Sequence, residues 1–229
     1  MSTFDDELRQ IEGLTWLPWI GDNYKAAVSP LILGESHYCY GGNAPVFFES
    51  NPEETREVFH DYVKSGRLAG EQYKTYEPME KVLQNSLVGK KTREELWKYV
   101  AFMNLIQSCM DGNTMRPKWE LFLSGWQVVL QVINVLRPSV CICFSTDKML
   151  NRVNFNHLEA FKQGLNFDFS IIPNEDTAQR ISRCIVAKPG CVCIGKYCCK
   201  VIFIRHASRI KGQSVTQWSR IIDSALANK

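Results

Sequence analysis

The stretch LILGESHYCYGG, residues 31–42, sets an apolar run directly against a glycine, a carboxylate, a hydroxyl, an imidazole and two tyrosines, with a glycine pair behind them. SPLILG (29–34) reads as a strand entering a loop. A strand that only filled a core would have no need of such an ending. SVCICFS (139–145) has the look of a second covered strand, and KVIFI (200–204) of a third that runs straight into RHASRIKG.

Helical patterns separate these runs. In SNPEETREVFHDYVKSG, Asn51 and Pro52 stand in the order of a cap and a first-turn proline, and Gly66 is a natural stop. KTREELWKYVAFMNLIQ begins with a Thr92 to Glu95 capping box and continues with helical apolar spacing. RPKWELFLSGWQVVLQVINVLRP (116–138) reads as a long amphipathic helix ended by Arg137 and Pro138, which Gly125 weakens without forbidding. Covered strands alternating with helices predict an α/β fold, a three-layer sandwich with a mainly parallel central sheet, in one domain spanning 1–229. Ligands of such sheets bind beyond the carboxyl ends of the strands, so residues 31–42 and the RHAS segment are expected to feed one crevice.

With 229 residues, 45% of them hydrophobic, the chain can bury a sizeable core, and neither a fibrous nor a disordered class fits. MSTFDDELRQ lacks the basic start and apolar core of a leader, and no apolar run is expected to reach transmembrane length. An intracellular protein, cytoplasmic or nucleoid/nuclear, with no membrane partner is therefore expected. Nine cysteines, an odd number, suit reduced thiols in that setting. GCVCIGKYCCK (190–200) is dense in cysteine but lacks the usual spacing of paired metal ligands, so no metal and no cofactor is expected. The net charge of +3 is unevenly spread: residues 1–176 hold 17 Lys or Arg against 23 Asp or Glu, whereas residues 177–229 hold 10 against Asp223 alone. A basic end is compatible with phosphate or DNA binding, and equally with ordinary solvated edges.

Several residues are candidates for chemistry. Gly34 allows a turn and a close backbone approach. Glu35 is placed to take a proton from water or hold it in line, with His37 sharing the work or ordering the loop; a capping or ion-pairing role for Glu35 is the alternative. His206, delivered to a strand end, can donate to a developing oxyanion, unless it is a structural histidine. Ser208, with Arg205 or Arg209, can contact a phosphate. Asn104 offers an amide donor and acceptor suited to a base edge, or merely a cap. Phe47 and Phe48 in GGNAPVFF can stack on a flat ligand, although two core phenylalanines would look the same.

Taken in order, LILGESHY, APVFF, FMNLIQ, the proline-led helix with its following strand, and His206-Ala207-Ser208 resemble the uracil-DNA glycosylase superfamily over roughly residues 28–225. The resemblance implies a sheet flanked by helices that binds a base flipped from DNA and hydrolyses its N-glycosidic bond. It implies Glu35 as the residue that orients or activates water, and Tyr38 as a wall of the pocket. Phe47 or Phe48 would stack on the base, Asn104 would bond its edge, His206 would stabilise the departing base and Ser208 would touch a phosphate. Three positions depart from the family pattern: Ser36 replaces a catalytic Asp or Asn, His37 replaces a proline, and Ala207 replaces the proline of His-Pro-Ser. The alternatives are a nucleic-acid or nucleotide binding protein without excision, and a hydrolase of small substrates using Glu35 and His37.

Overall fold

A computed structural model of the chain describes residues 3–39, 49–65, 73–86, 92–111, 117–145, 165, 167–168, 170–173, 179–182, 185–207, 210 and 214–227. The helices are α1 (Asp5–Leu8), α2 (Glu54–Ser65), α3 (Tyr73–Ser86), α4 (Arg93–Trp97), α5 (Trp119–Leu136) and α6 (Ser214–Ala227). The strands are β1 (Trp19–Ile20), β2 (Leu31–Gly34), β3 (His37–Cys39), β4 (Ala101–Asn104), β5 (Cys109–Asp111) and β6 (Val140–Ser145), then β7 (Ser170–Pro173), β8 (Gln179–Ser182), β9 (Ile185–Ile194) and β10 (Tyr197–Arg205).

The main sheet runs β1-β4-β2-β6-β10-β9-β7, with β8 also on β9. β4, β2, β6 and β10 are mutually parallel, while β1, β7, β8 and β9 pair antiparallel at the flanks. Alternation along the parallel strands divides the core into two layers. Leu31, Leu33, Ala101, Met103, Cys141, Cys143 and Val201 join α1 and α5 on one face. Ile32, Phe102, Val140, Ile142, Phe144, Ile202 and Ile204 join α2, α3, α4 and α6 on the other. With both faces covered, these strands read as continuous apolar runs. The result is an α/β fold with a largely parallel, open sheet.

The second strand to form this parallel core in chain order, β4, lies on one side of β2, and the third, β6, lies on the other. The winding direction therefore reverses between β2 and β6, which opens a crevice at their carboxyl ends.

The Thr92 capping box forms as expected: Thr92 accepts from the Glu95 backbone and Glu95 accepts from that of Thr92. The helix nevertheless stops at Trp97, and AFMN is β4 rather than a continuation. All four residues are buried, and a strand covered on both faces has no periodicity to set it apart from a helix. Gly125 is also more than tolerated in α5. A Cβ there would lie 2.2 Å from the Leu105 carbonyl, so the helix approaches the β4 segment only because the side chain is missing. By length and composition α5 is long and apolar enough to cross a membrane, which corrects the expectation that no apolar run reaches that length; in this fold its buried face packs on the sheet.

The expectation of reduced thiols is corrected, beginning with Cys109, which is disulfide-bonded. Cys193 and Cys198 form a disulfide, whereas Cys141, Cys143, Cys191 and Cys199 are free. β9 and β10 are joined by Gly195 and Lys196, with Ile194 opposite Tyr197 and Cys193 opposite Cys198. The next pair out from a two-residue hairpin connection is a close one, here 4.0 Å between Cα atoms, and that brings the two sulfurs together. Among the described residues no group of three or more His, Cys, Asp or Glu is arranged to hold a metal.

Candidate active site at the strand termini

Glu35 is the first residue beyond β2 and is only 3% exposed. Its position is fixed by main-chain bonds past the end of the sheet: Leu105 N donates to Gly34 O at 3.1 Å and Ile106 N to Glu35 O at 2.9 Å. The Tyr38 hydroxyl donates to Glu35 Oε1 at 3.4 Å. Burial, and then the charge of Glu35, push the Cys143 thiol well above the ordinary range, so the carboxylate bears on β6 and the reversal point.

Asn104 ends β4 directly beside Gly34 and is 5% exposed. A Cβ on Gly34 would lie 2.2 Å from Asn104 Oδ1 and 3.0 Å from Phe102 Cζ. The close approach expected of Gly34 is thus made to the Asn104 amide, which occupies the space a side chain would take. Gln107 secures the same corner: its Nε2 donates to Asn104 O at 2.6 Å, and its Oε1 accepts from Trp16 N at 3.3 Å. Sequence reasoning missed Gln107, whose backbone carbonyl also accepts from Thr15 Oγ1, because its partners near the N-terminus lie about ninety residues away.

His206 follows β10 immediately. Leu33 pairs with Cys143 and Cys143 with Phe203, so the ends of β2, β6 and β10 are level, and Arg205 closes β10 opposite Ser145. Glu35 and His206 therefore stand on one edge with β6 between them, roughly 10 Å apart at the backbone by strand spacing. Phe47, Phe48, Ser208, Arg209 and the side chain of Arg205 lie outside the described residues.

His37 has another occupation. Its Nε2 shares a 3.0 Å hydrogen bond with Thr55 Oγ1 at the start of α2, and its ring meets Trp16 edge-on at 4.6 Å. Burial lowers its pKa to about 4, which makes it a neutral imidazole at pH 7. β3, which carries His37 and Tyr38, pairs in parallel with β5, so the loops after β2 and β4 form a two-stranded sheet of their own. Among the described residues, Ser36 Oγ is buried with no hydrogen-bond partner. An unsatisfied hydroxyl beside a buried carboxylate costs about 1–3 kcal/mol and is suited to meeting a water or a substrate atom. No family model matches the chain, and no curated protein matches it.

Proposed function

We propose that the chain is a DNA base glycosylase that hydrolyses the N-glycosidic bond of uracil or a related base. The observation that carries this reading is the juxtaposition of Glu35 and Asn104 on adjacent parallel strand ends beside the reversal point, with His206 on the same edge. The order of these segments along the chain, which resembles that of the uracil-DNA glycosylase superfamily, supports it too.

In this reading the Asn104 amide bonds the edge of an extruded base, where its donor and acceptor match the alternating edge of a pyrimidine. Glu35 accepts a proton from water as the water oxygen bonds to the sugar C1′. The C1′–N bond breaks and its electron pair leaves with the base, whose developing negative oxygen receives a hydrogen bond from His206. His37, held by Thr55 and Trp16, orders the loop and takes no proton.

The test is release of free base from uracil-containing single- and double-stranded DNA by the native protein and by Glu35→Gln. Release that disappears in the variant is expected. Release that survives the substitution removes Glu35 from the chemistry. Salt-sensitive DNA binding without release by the native protein replaces the glycosylase with a binding module on the same fold.

A further inference from the structure

A half-open cleft of about 450 Å³, whose lining includes none of the three residues above, lies between the loop after α1, the segment after β4 and the flank of α5. Its size falls within the ordinary range of small-molecule sites. Leu121 and Val128, two turns apart on α5, give it an apolar lining. Gln127 and Gln131, one turn apart, edge it on the α5 side, with Gln107 and Ser108 opposite.

Two of these amides are already engaged. Gln107 is held by Asn104 O and Trp16 N, and Gln131 Nε2 donates to Gln127 O at 3.3 Å. Among the described residues, the side chains of Gln127 and Ser108 have no hydrogen-bonding partner in the protein, nor does the carboxylate of Glu12 at the same cleft. The described lining contains no cationic side chain.

We propose that this cleft binds an uncharged heterocycle with a lactam edge, of about the size of a pyrimidine nucleoside. The free amide of Gln127 pairs with a –CO–NH– edge through two antiparallel hydrogen bonds, donating with its nitrogen and accepting with its oxygen. Ser108 supplies a third polar contact. Leu121 and Val128 offer an apolar surface to the ring face, and Glu12, with no cation to offset it in the lining, disfavours a phosphate. The cleft shares Gln107 with the corner that holds Asn104, but Glu35, Asn104 and His206 are not part of its lining, so the inference does not rest on base excision.

An NMR titration of ¹⁵N-labelled protein with uridine, and separately with uridine monophosphate, tests it. Uridine is expected to shift the Gln127 side-chain amide and the Ser108 backbone amide in a saturable manner. The monophosphate is expected to bind at least about tenfold more weakly. Loss of the amide pair in Gln127→Leu, at unchanged melting temperature, is expected to weaken uridine about tenfold. Ser108→Ala should weaken it less, and Glu35→Gln should leave it unchanged. Absence of saturable shifts at the cleft, equal binding of the monophosphate, or indifference to both cleft substitutions would overturn the proposal. Uridine binding lost in Glu35→Gln but kept in Gln127→Leu would also overturn it, by moving the ligand to the strand termini.

Discussion

Glu80 and Glu35 are both buried carboxylates, and they lie in regions built for different ends. Glu80, 4% exposed, sits within the aromatic layer of α2, α3 and α4, where Oε1 accepts from Arg93 Nε and from Trp97 Nε1, both at 2.8 Å. The Arg93 guanidinium also covers the Tyr62 ring at 4.4 Å. Around it, Phe59 contacts Phe102, Trp97 and Tyr76 with ring centroids 4.3, 4.7 and 4.8 Å apart. Glu35 stands instead at the end of β2, next to a hydroxyl without a partner among the described residues and a glycine that makes room for an amide. Burial alone does not separate the two carboxylates; position relative to the strand ends does, and the proposed chemistry rests on that position.

The strongest way to break this comparison is to exchange the consequences of losing each acid. Glu35→Gln should lower base release by about 10²–10⁴-fold, the range of a general base, while shifting stability by less than about 1 kcal/mol in urea unfolding. Glu80→Ala should show the opposite pattern: about 3 kcal/mol lost in urea unfolding, because the Arg93 and Trp97 donors lose their acceptor, with release per folded molecule unchanged. A Glu80 variant that unfolds like the native protein would erase the distinction.

The His37 anchor sharpens the comparison through pH. Its pKa is lowered to about 4 in the fold from an ordinary 6.5, so the unfolded chain takes up the proton first. The stabilisation from neutral His37 is full above about pH 6.5 and is lost as pH falls through 4, by about 3 kcal/mol in all. Burial, then the charge of Glu57, raise the Glu54 carboxyl, and that contribution runs the other way, favouring the fold as pH falls. The informative measurement is therefore the difference between native protein and His37→Gln in urea unfolding at pH 7 and pH 4.5. The native protein should lose more stability on acidification than the variant does.

The smallest effect is expected at Gly34. Gly34→Ala drives a Cβ into the Asn104 amide and should cost about 1–2 kcal/mol while reducing base release. In an Asn104→Ala background most of the added penalty should vanish. Additive losses in a double-mutant cycle would show that the two residues do not share the space.

Much of the fold was legible in residue patterns. LILG, VCICFS and KVIFI each carried the unbroken apolar character of a strand covered on both sides, and the polar residues behind LILG and KVIFI pointed to one edge. AFMN carried the same character but followed a genuine capping box, and local sequence could not show that the helix ends after five residues. Gly34 was readable as a close-approach residue, although its neighbour, Asn104, lies seventy positions away. The thiols of Cys193 and Cys198 were visible as a cluster, yet only the hairpin register makes them partners. His37 was readable as either a proton carrier or a loop anchor; its contacts are those of an anchor.

The small β3–β5 pair gives the edge a mechanical property. His37 lies opposite Cys109 and Tyr38 opposite Met110, while Glu35 and Gly34 hold the chain beyond Asn104 through their carbonyls. The two segments are thus laced from the strand ends outward, and displacement of one drags the other. The two loops form a paired plate in place of two independent flaps, so in the proposed reaction the spacing of acid and amide is set before a ligand arrives.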